Sequence, residues 1–361
     1  MTDFVMTEVH GGIGYLTLNR PQALNALSLD MIRAMTGALQ DWKTAPDVAA
    51  VVLAGAGGKA LSAGGDIRFF HQAAQEGNPD LDQFFVEEYT LNHLIHCYPK
   101  PYIALMDGVV MGGGMGISQG ARLRVVTERT KMAMPETNIG LFPDVGGGWF
   151  LARTPGRMGE YLGLTGAVIH AADALHAGLA DTYLPSNALA ELTASLRAAS
   201  FNDGDAVVAH IDTFARQHRD ACIPGDSTLA GLAGTIDRLF AGATMPDIMQ
   251  AVSDAPGDWA AQTAAMLRSR SLLMLCVTLE QIRRARTMSL EDELRMELDM
   301  MHTVFRHGDG VEGIRALAVD KDHKPRWNPP RLDEVRRERV QAFFDSPWQA
   351  ASHPLARLGR G

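Results

Sequence analysis

Three glycine clusters constrain the fold of this chain more than any other feature of its sequence. They are Ala63-Gly64-Gly65-Asp66, Gly112-Gly113-Gly114-Met115-Gly116 and Gly146-Gly147-Gly148, each between a strand-like and a helix-like stretch. Glycine makes up 36 of 361 residues without a G-X-Y period, which excludes a collagen-like chain. A single cluster would be explained better by a tight turn and close packing. Because glycine lacks a Cβ, three of them favour a backbone-lined site for an anion or oxyanion.

Charge and cysteine content exclude several classes of protein. The 33 Lys and Arg residues against 42 Asp and Glu residues give a net charge of −9, which argues against a general nucleic-acid binder. The cysteines Cys97, Cys222 and Cys276 lie far apart without a CxxC motif, so neither a disulfide framework nor a cysteine zinc site is indicated. No leader pattern is visible at the N-terminus, and the longest apolar run, 103–118, is broken by Asp107 and five glycines. We therefore expect a cytoplasmic protein with no membrane partner.

The periodicity of apolar residues divides the chain into a mixed first half and a helical second half. It predicts two helices in the first half, one at 29–43 capped by Ser28 and one at 79–97. Strands are predicted at 14–19, 49–54, 103–110, 123–127 and 131–134. Six amphipathic helices are predicted after residue 185, at 188–199, 205–218, 229–240, 259–267, 272–286 and 290–305. We expect an α/β catalytic core at 1–190, a helical region at 191–345 and a loosely ordered tail at 346–361.

Two glycine-containing motifs offer alternative functions. The stretch 55–60 fits the dinucleotide pattern G-x-G-x-x-G/A, but Gly64 and Gly65 interrupt the helix that this pattern needs. The stretch 116–120 matches the G-x-S-x-G elbow of serine esterases, with Ser118 as the nucleophile. Because 112–114 already form the turn, we expect Ser118 to lie inside the following helix, which disfavours an esterase.

Acidic residues in apolar surroundings are the strongest candidates for chemistry. Glu136 and Asp144 lie eight residues apart in an otherwise apolar loop punctuated by proline and glycine. Burial raises the pKa of a carboxyl group and makes it useful as a general acid or base, although a helix N-cap would also explain either residue. On the helix at 79–97, Glu87 and Glu88 are both flanked by apolar side chains, and periodicity does not choose between them.

His93 and Cys97 lie four residues apart on the same predicted helix. They could form half of a metal site, but helix packing explains such a pair more often. We expect no metal.

Five sequence segments together resemble the crotonase (enoyl-CoA hydratase/isomerase) superfamily over nearly the whole chain. The segments are Leu18-Asn19-Arg20-Pro21 with 24–27, 61–68, 100–104, 111–118 and 134–148. The last of these, with 84–89 and Val319-Asp320-Lys321-Asp322, is more typical of the hydrolases within the superfamily. The resemblance is weakest at 200–310 and absent in the tail.

The resemblance implies a spiral of ββα units and an oxyanion hole for a thioester carbonyl. By position in the matching motifs, the donors of the oxyanion hole would be the backbone N–H groups of Ala63 and Gly113. Gly113 would begin a helix, and the positive end of the helix dipole there favours an oxyanion donor. Glu136 would activate the attack as a base or as a nucleophile, and Asp144 would bind the hydroxyl of the substrate or assist proton transfer. Glu88 would line the acyl pocket. The residues expected at the substrate are Glu88, Gly113, Glu136, Asp144, Gly65 and Asp66.

A glycine at position 116 departs from the hydratase pattern of the superfamily. Hydratases use two glutamates, which would fall at 116 and 136 in this chain. The resemblance therefore implies hydrolysis of an acyl-CoA, 3-hydroxyisobutyryl-CoA of valine breakdown, with 3-hydroxypropionyl-CoA as a close alternative. Hydration or isomerisation of an enoyl-CoA, and non-catalytic acyl-CoA binding, stay as alternatives. No cofactor is expected beyond the coenzyme A of the substrate, and superfamily members commonly form homo-oligomers.

Overall fold

The computed structural model describes residues 4–218 and 225–360, so that Cys222 lies outside the described residues. The chain forms two compact units, each assembled from three stretches. Unit 1 comprises the described residues of 1–65, 91–133 and 168–230, and unit 2 comprises those of 66–90, 134–167 and 231–361. This division differs from the predicted boundary at residue 190. Each compact unit is formed by packing between stretches that are distant in the sequence, which a single boundary does not describe.

Unit 1 contains two largely parallel sheets. Its described residues form nine strands, which are β1 (Val5–His10), β2 (Ile13–Leu18), β3 (Ala50–Gly55), β4 (Ala60–Ser62), β5 (Tyr102–Met106), β6 (Val109–Met111), β7 (Leu123–Val126), β8 (Lys131–Ala133) and β9 (Thr182–Tyr183). One sheet has the order β1-β2-β3-β5-β7-β9 and the other the order β4-β6-β8. Among these nine strands, β1 and β2 pair antiparallel, with Val5 opposite Leu18, and the other neighbours pair parallel. The near-continuous apolar runs of β3 and β5 are buried, as parallel strands covered on both faces require.

The stretch predicted as one strand at 103–110 forms two strands in different sheets. Gly108 adopts a left-handed φ of +77°, which a residue without a Cβ tolerates, and it turns the chain from β5 into β6. Asp107, beside it, accepts a hydrogen bond from Thr127 Oγ1 at 2.7 Å. An apolar pattern does not reveal such a change of sheet, because both strands are buried.

Both units also contain α-helices. They are α1 (Leu29–Thr44), α2 (Ile67–Glu76), α3 (Asp80–His96), α4 (Gly113–Gln119), α5 (Gly147–Leu151), α6 (Met158–Thr165), α7 (Ala171–His176), α8 (Leu189–Ala198), α9 (Gly204–His218), α10 (Thr228–Leu239), α11 (Met245–Asp254), α12 (Asp258–Ser269), α13 (Leu272–Ala285), α14 (Leu290–His307), α15 (Gly310–Ile314) and α16 (Arg337–Gln341). The predicted cap of α1 is confirmed, since Ser28 accepts a hydrogen bond from the N–H of Met31. The helices α6, α7, α11, α15 and α16 were not predicted.

Each unit has its own apolar core. In unit 1, α8 and α9 contribute buried residues such as Leu192, Leu196 and Ile211 to a cluster with residues of the six-stranded sheet. In unit 2, Phe70 and Phe84 pack edge to face with ring centroids 4.7 Å apart. No helix in the described part of the chain is long and apolar enough to cross a membrane.

The tail from residue 346 differs from the loose order that its composition predicts. Leu355 is 2% exposed, and Arg295 of α14 donates to the carbonyl groups of Leu355 at 3.1 Å and Leu358 at 2.6 Å. Ser346 Oγ donates to Asp299 of the same helix. The tail is therefore attached to α14 by its buried leucines and by hydrogen bonds to its backbone carbonyls, although its composition is typical of a loosely ordered segment.

Candidate active site

The two alternative glycine motifs lack the structure that their chemistry needs. Residues 55–60 connect β3 directly to β4, so the helix required after a dinucleotide-binding turn is replaced by a strand. Ser118 is fully buried within α4, as expected, and its Oγ donates to the carbonyl of Gly114 at 2.8 Å. A nucleophile elbow presents its serine at a sharp exposed turn, which this helix does not provide.

Two backbone N–H groups of unit 1 are available to a ligand. Gly113 is the first residue of α4, so its N–H has no acceptor within the helix. Among residues 4–218 and 225–360, no acceptor is bonded to the N–H of Gly65. The glycine-rich stretches approach closely, because a Cβ on Gly64 would lie 3.3 Å from the nitrogen of Gly113. We call the N–H groups of Gly65 and Gly113 the amide pair.

The structure corrects the predicted donor at Ala63. The N–H of Ala63 donates to the carbonyl of Leu24 at 2.9 Å, and a backbone N–H that is bonded in this way is not free to stabilise an oxyanion. The free amide is that of Gly65, two residues further along. Asp66, expected at the substrate, is the N-cap of α2 and accepts a hydrogen bond from the N–H of Phe69.

Unit 2 contains a set of three buried carboxyl groups. Glu88 is 2% exposed, Glu136 6% and Asp144 7%. Glu88 is therefore the buried acid of its helix, whereas Glu87 is half-buried and accepts a hydrogen bond from Gln83. Asp144 is not a helix cap, because the N-cap of α5 is Gly146. Glu136 begins the 3₁₀ helix Glu136–Ile139, and its Oε2 has no hydrogen-bond partner among the described residues.

Burial raises the pKa values of all three acids, and repulsion by neighbouring carboxylates adds to the shift of Glu136 and Glu88. Burial, followed by the charges of Asp144 and Glu88, holds the pKa of Glu136 well above its usual range. Burial and the charge of Asp144 do the same to the pKa of Glu88. Burial raises the pKa of Asp144 to about 7, opposed by a hydrogen bond that Tyr89 Oη donates to Asp144 Oδ2 at 2.9 Å. With a pKa of about 7, Asp144 can both accept and release a proton near neutral pH, which suits general acid–base chemistry.

Asp144 lies in a strained loop, residues 143–148, which we call the Asp144 loop. Val145, the next residue, is buried and has a φ of +58°, which is a backbone outlier for a β-branched side chain. Glu297 Oε2 accepts the N–H of Gly146 at 2.8 Å, and Gln281 Nε2 donates to the carbonyl of Pro143 at 2.7 Å. Such strain persists only where the surroundings over-determine the backbone.

The buried acids Glu293 and Glu297 were missed in the sequence. Both are fully buried on α14, and burial raises the pKa of Glu293 to about 7 and that of Glu297 well above its usual range. Their spacing carried a signal, because Glu293 and Glu297 fall on the same helical face as Leu290, Leu294 and Met301. Acids within an apolar stripe are buried or paired.

His93 and Cys97 are in contact within unit 1, with Cys97 Sγ 3.6 Å from His93 Nε2. The expectation that no metal binds stays a prediction.

Comparison with known proteins identifies relatives over nearly the whole chain. Residues 13–344 match the family model described as enoyl-CoA hydratase/isomerase. The chain is 39% identical to "3-hydroxyisobutyryl-CoA hydrolase, mitochondrial" of Xenopus laevis, over 93% of this chain and 87% of that protein. It is 37% identical to the Homo sapiens protein of the same name, over 95% and 88%. Because these relatives are named mitochondrial, the expected cytoplasmic location stays a prediction.

Solved structures with the same fold carry different names. A structure described as a carnitinyl-CoA dehydratase from Mycobacterium thermoresistibile has a TM-score of 0.87 and 41% identity, covering 95% of this chain and 97% of that one. One described as an enoyl-CoA hydratase from Rhodobacter sphaeroides has a TM-score of 0.85 and 36% identity, covering 96% and 98%. The crotonase fold predicted from the sequence is confirmed.

Proposed function

This chain belongs to the enoyl-CoA hydratase/isomerase family, and we propose that it hydrolyses 3-hydroxyisobutyryl-CoA to 3-hydroxyisobutyrate and coenzyme A. The observation that carries the proposal is the burial of both Glu136 and Asp144, combined with a glycine at position 116. The curated relatives named above carry this activity in their names. The proposed chemistry uses only the chain's own residues, water and the acyl-CoA.

The amide pair is proposed to stabilise the charge that develops on the thioester oxygen. When water adds to the carbonyl carbon, the oxygen becomes an oxyanion, and two N–H groups without other acceptors can donate to it. Removing one such donor typically costs about 2.7–4 kcal/mol of transition-state stabilisation. We assign this role to Gly65 and Gly113, in place of the Ala63 and Gly113 pair expected from the sequence.

Glu136 is proposed to act at the carbonyl carbon. Its unbonded Oε2 can accept a proton from water as the water oxygen attacks, and its raised pKa makes the carboxylate a stronger base. The tetrahedral intermediate then breaks the carbon–sulfur bond and expels the thiolate of coenzyme A, which takes up a proton. Asp144, with a pKa of about 7, can supply that proton or bind the 3-hydroxyl group. Glu88 is proposed to line the acyl pocket.

Direct attack by the Glu136 carboxylate, giving an anhydride, is the other route to the same products. A single turnover in ¹⁸O-labelled water separates the two routes. Label in the Glu136 carboxyl group identifies the anhydride route, because water enters there when it opens the anhydride at the glutamyl carbon, whereas direct attack of water on the thioester labels only the product.

Hydration of an enoyl-CoA is the second candidate, favoured by the names of the two similar structures. Hydratases of the family use two glutamates, and the position of the first is occupied by Gly116, a buried residue of α4 without a side chain. Glu136 alone would then have to orient and activate the water. We therefore favour hydrolysis.

A thiol-release assay with a panel of acyl-CoA compounds tests the proposal. The panel contains 3-hydroxyisobutyryl-CoA, 3-hydroxypropionyl-CoA and crotonyl-CoA, and the variants are Glu136→Gln, Ser118→Ala and Glu87→Gln. Glu136→Gln is expected to lose at least a factor of about 10²–10⁴ in kcat with an unchanged circular dichroism spectrum. Glu87→Gln makes the same chemical change at a half-buried acid and is expected to keep its activity, as is Ser118→Ala.

Near-normal thiol release by Glu136→Gln would refute the role that is assigned to Glu136. Loss of the enoyl absorbance of crotonyl-CoA without thiol release would favour the hydratase. Loss of activity in Ser118→Ala alone would favour the esterase.

A further inference from the structure

The Asp144 loop is held by three buried side chains from two helices of unit 2. Gln281 lies on α13, and Glu293 and Glu297 lie on α14. We call these three residues the loop-holding network. All three are fully buried, and none of them is used by the proposed chemistry.

Glu297 makes the most contacts to the loop backbone. Its Oε2 accepts the N–H of Gly146 at 2.8 Å, and its Oε1 accepts the N–H of Gly148 at 3.3 Å and Gln281 Nε2 at 3.1 Å. Gln281 Nε2 also donates to the carbonyl of Pro143. The backbone on both sides of Asp144 is therefore bonded to one connected group of side chains.

A purely structural role would not need two buried acids. Burying a carboxyl group is costly, and well-packed apolar residues of similar volume would often give equal or greater stability. The network instead provides oxygen atoms at the positions where the loop presents N–H groups. It also bonds the N–H of Gly146, the residue after Val145, whose left-handed backbone needs an external constraint to persist.

We propose that Glu297 is a positioning residue that fixes the Asp144 loop so that the carboxyl group of Asp144 is held in its working geometry. The inference rests on the proposed function for the role of Asp144, whereas the hold on the loop backbone is independent of it. The substitution Glu297→Gln would replace one acceptor oxygen by an NH₂ group, and this NH₂ group would face the N–H donor of Gly146 or of Gly148. One of the two backbone bonds is therefore lost with almost no change in volume.

The test compares Glu297→Gln with a matched control, Leu294→Ala, which removes a buried side chain one turn away on the same helix. A displaced catalytic group can cost up to about a hundredfold in rate, so Glu297→Gln is expected to lower kcat by about ten- to a hundredfold with KM nearly unchanged. Leu294→Ala is expected to lower thermal stability without this loss of kcat. In an Asp144→Asn background, Glu297→Gln is expected to cause no further loss.

Two outcomes would overturn the proposal. One is a loss of kcat in Glu297→Gln no larger than in Leu294→Ala, and the other is an equal proportional loss with and without Asp144→Asn. If Glu297→Gln does not fold, Gln281→Met removes the bonds to Pro143 and Glu297 and is expected to lower kcat in the same way.

Amide hydrogen exchange separates this proposal from the proposed function. The N–H groups of residues 146–149 are expected to exchange faster in Glu297→Gln than in the parent protein, and not in Leu294→Ala. A parent protein without thioesterase activity would refute the proposed function. The exchange rates at residues 146–149 would still test whether Glu297 fixes the backbone of the Asp144 loop. Unchanged exchange in Glu297→Gln would overturn the inference even in an active enzyme.

Discussion

Replacing Tyr89 by Phe tests the electrostatics of the acid set most directly. The change removes only the phenol oxygen, which donates to Asp144 Oδ2 at 2.9 Å inside the protein. A hydrogen bond to a charged group contributes about 1.5–3 kcal/mol. Since one pKa unit corresponds to about 1.4 kcal/mol, the loss should raise the pKa of Asp144 by roughly one to two units. A group with a pKa of about 7 in the parent protein would then titrate near about 8 to 9.

The assay is the pH dependence of kcat for thiol release between about pH 5.5 and 9.5. Asp144→Asn identifies the limb of the profile that Asp144 governs, because that limb disappears in this variant. In Tyr89→Phe the same limb is expected to move to higher pH, whether Asp144 works as a base or as an acid. An unchanged limb, or a shift to lower pH, would refute the assigned interaction.

Stability provides a second readout that does not depend on activity. Asp144 has a folded pKa of about 7, above its unfolded value of about 3.9, so the folded state binds more protons between these values. The contribution of Asp144 to stability therefore falls as pH rises from about 4 to about 7. Tyr89→Phe should destabilise the protein more at pH 8, where the parent carboxylate is ionised, than at pH 5.5. Equal destabilisation at both pH values would contradict the reasoning.

The remaining predictions concern packing in unit 2. Gly148→Ala is expected to lower the free energy of unfolding by about 1–3 kcal/mol in chemical denaturation, because its Cβ would lie 2.3 Å from Glu293 Oε1. Gly234→Ala, where a Cβ would meet nothing within 4 Å, is the control and should be neutral or stabilising. Arg295→Ala removes the donors to two tail carbonyls and is expected to make residues 346–360 the first site of limited proteolysis. A tail that stays resistant would contradict this role of Arg295.

Local signals allowed the regular elements of the fold to be predicted. The Ser28 cap and the spacing of apolar residues defined α1, and the apolar run at 49–54 identified β3 within one residue. The helix α11 was missed although Thr244 and Asp247 form a capping box at its start, a signal that could have found it. The change of sheet at Gly108 was missed because it depends on which strands pair, and pairing partners lie far away in the sequence.

The sequence indicated which residue types line the candidate site, but not which backbone N–H groups are free or which side chains are bonded to them. Motif position identified Glu136 and Asp144, yet it misplaced the free amide by two residues, because the bond from Ala63 to Leu24 is a tertiary contact. Periodicity did not choose between Glu87 and Glu88, since both have apolar neighbours along the helix, whereas the resemblance pointed to Glu88, which the structure shows to be the buried one. Glu297 was missed because its partners, Gly146 and Gly148, lie about 150 residues earlier in the chain.

The interleaved composition of the two units has a consequence for folding during synthesis. The stretch 134–167 of unit 2, with the buried Phe142 and Phe150, is synthesised well before α13 and α14, which carry the loop-holding network. Until those helices are made, the N–H groups of Gly146 and Gly148 lack the acceptor oxygens of Glu297. Contacts of such long sequence separation slow folding and leave apolar surface exposed to aggregation. Production of this protein should therefore benefit from slow translation and chaperones more than that of a protein built from contiguous domains.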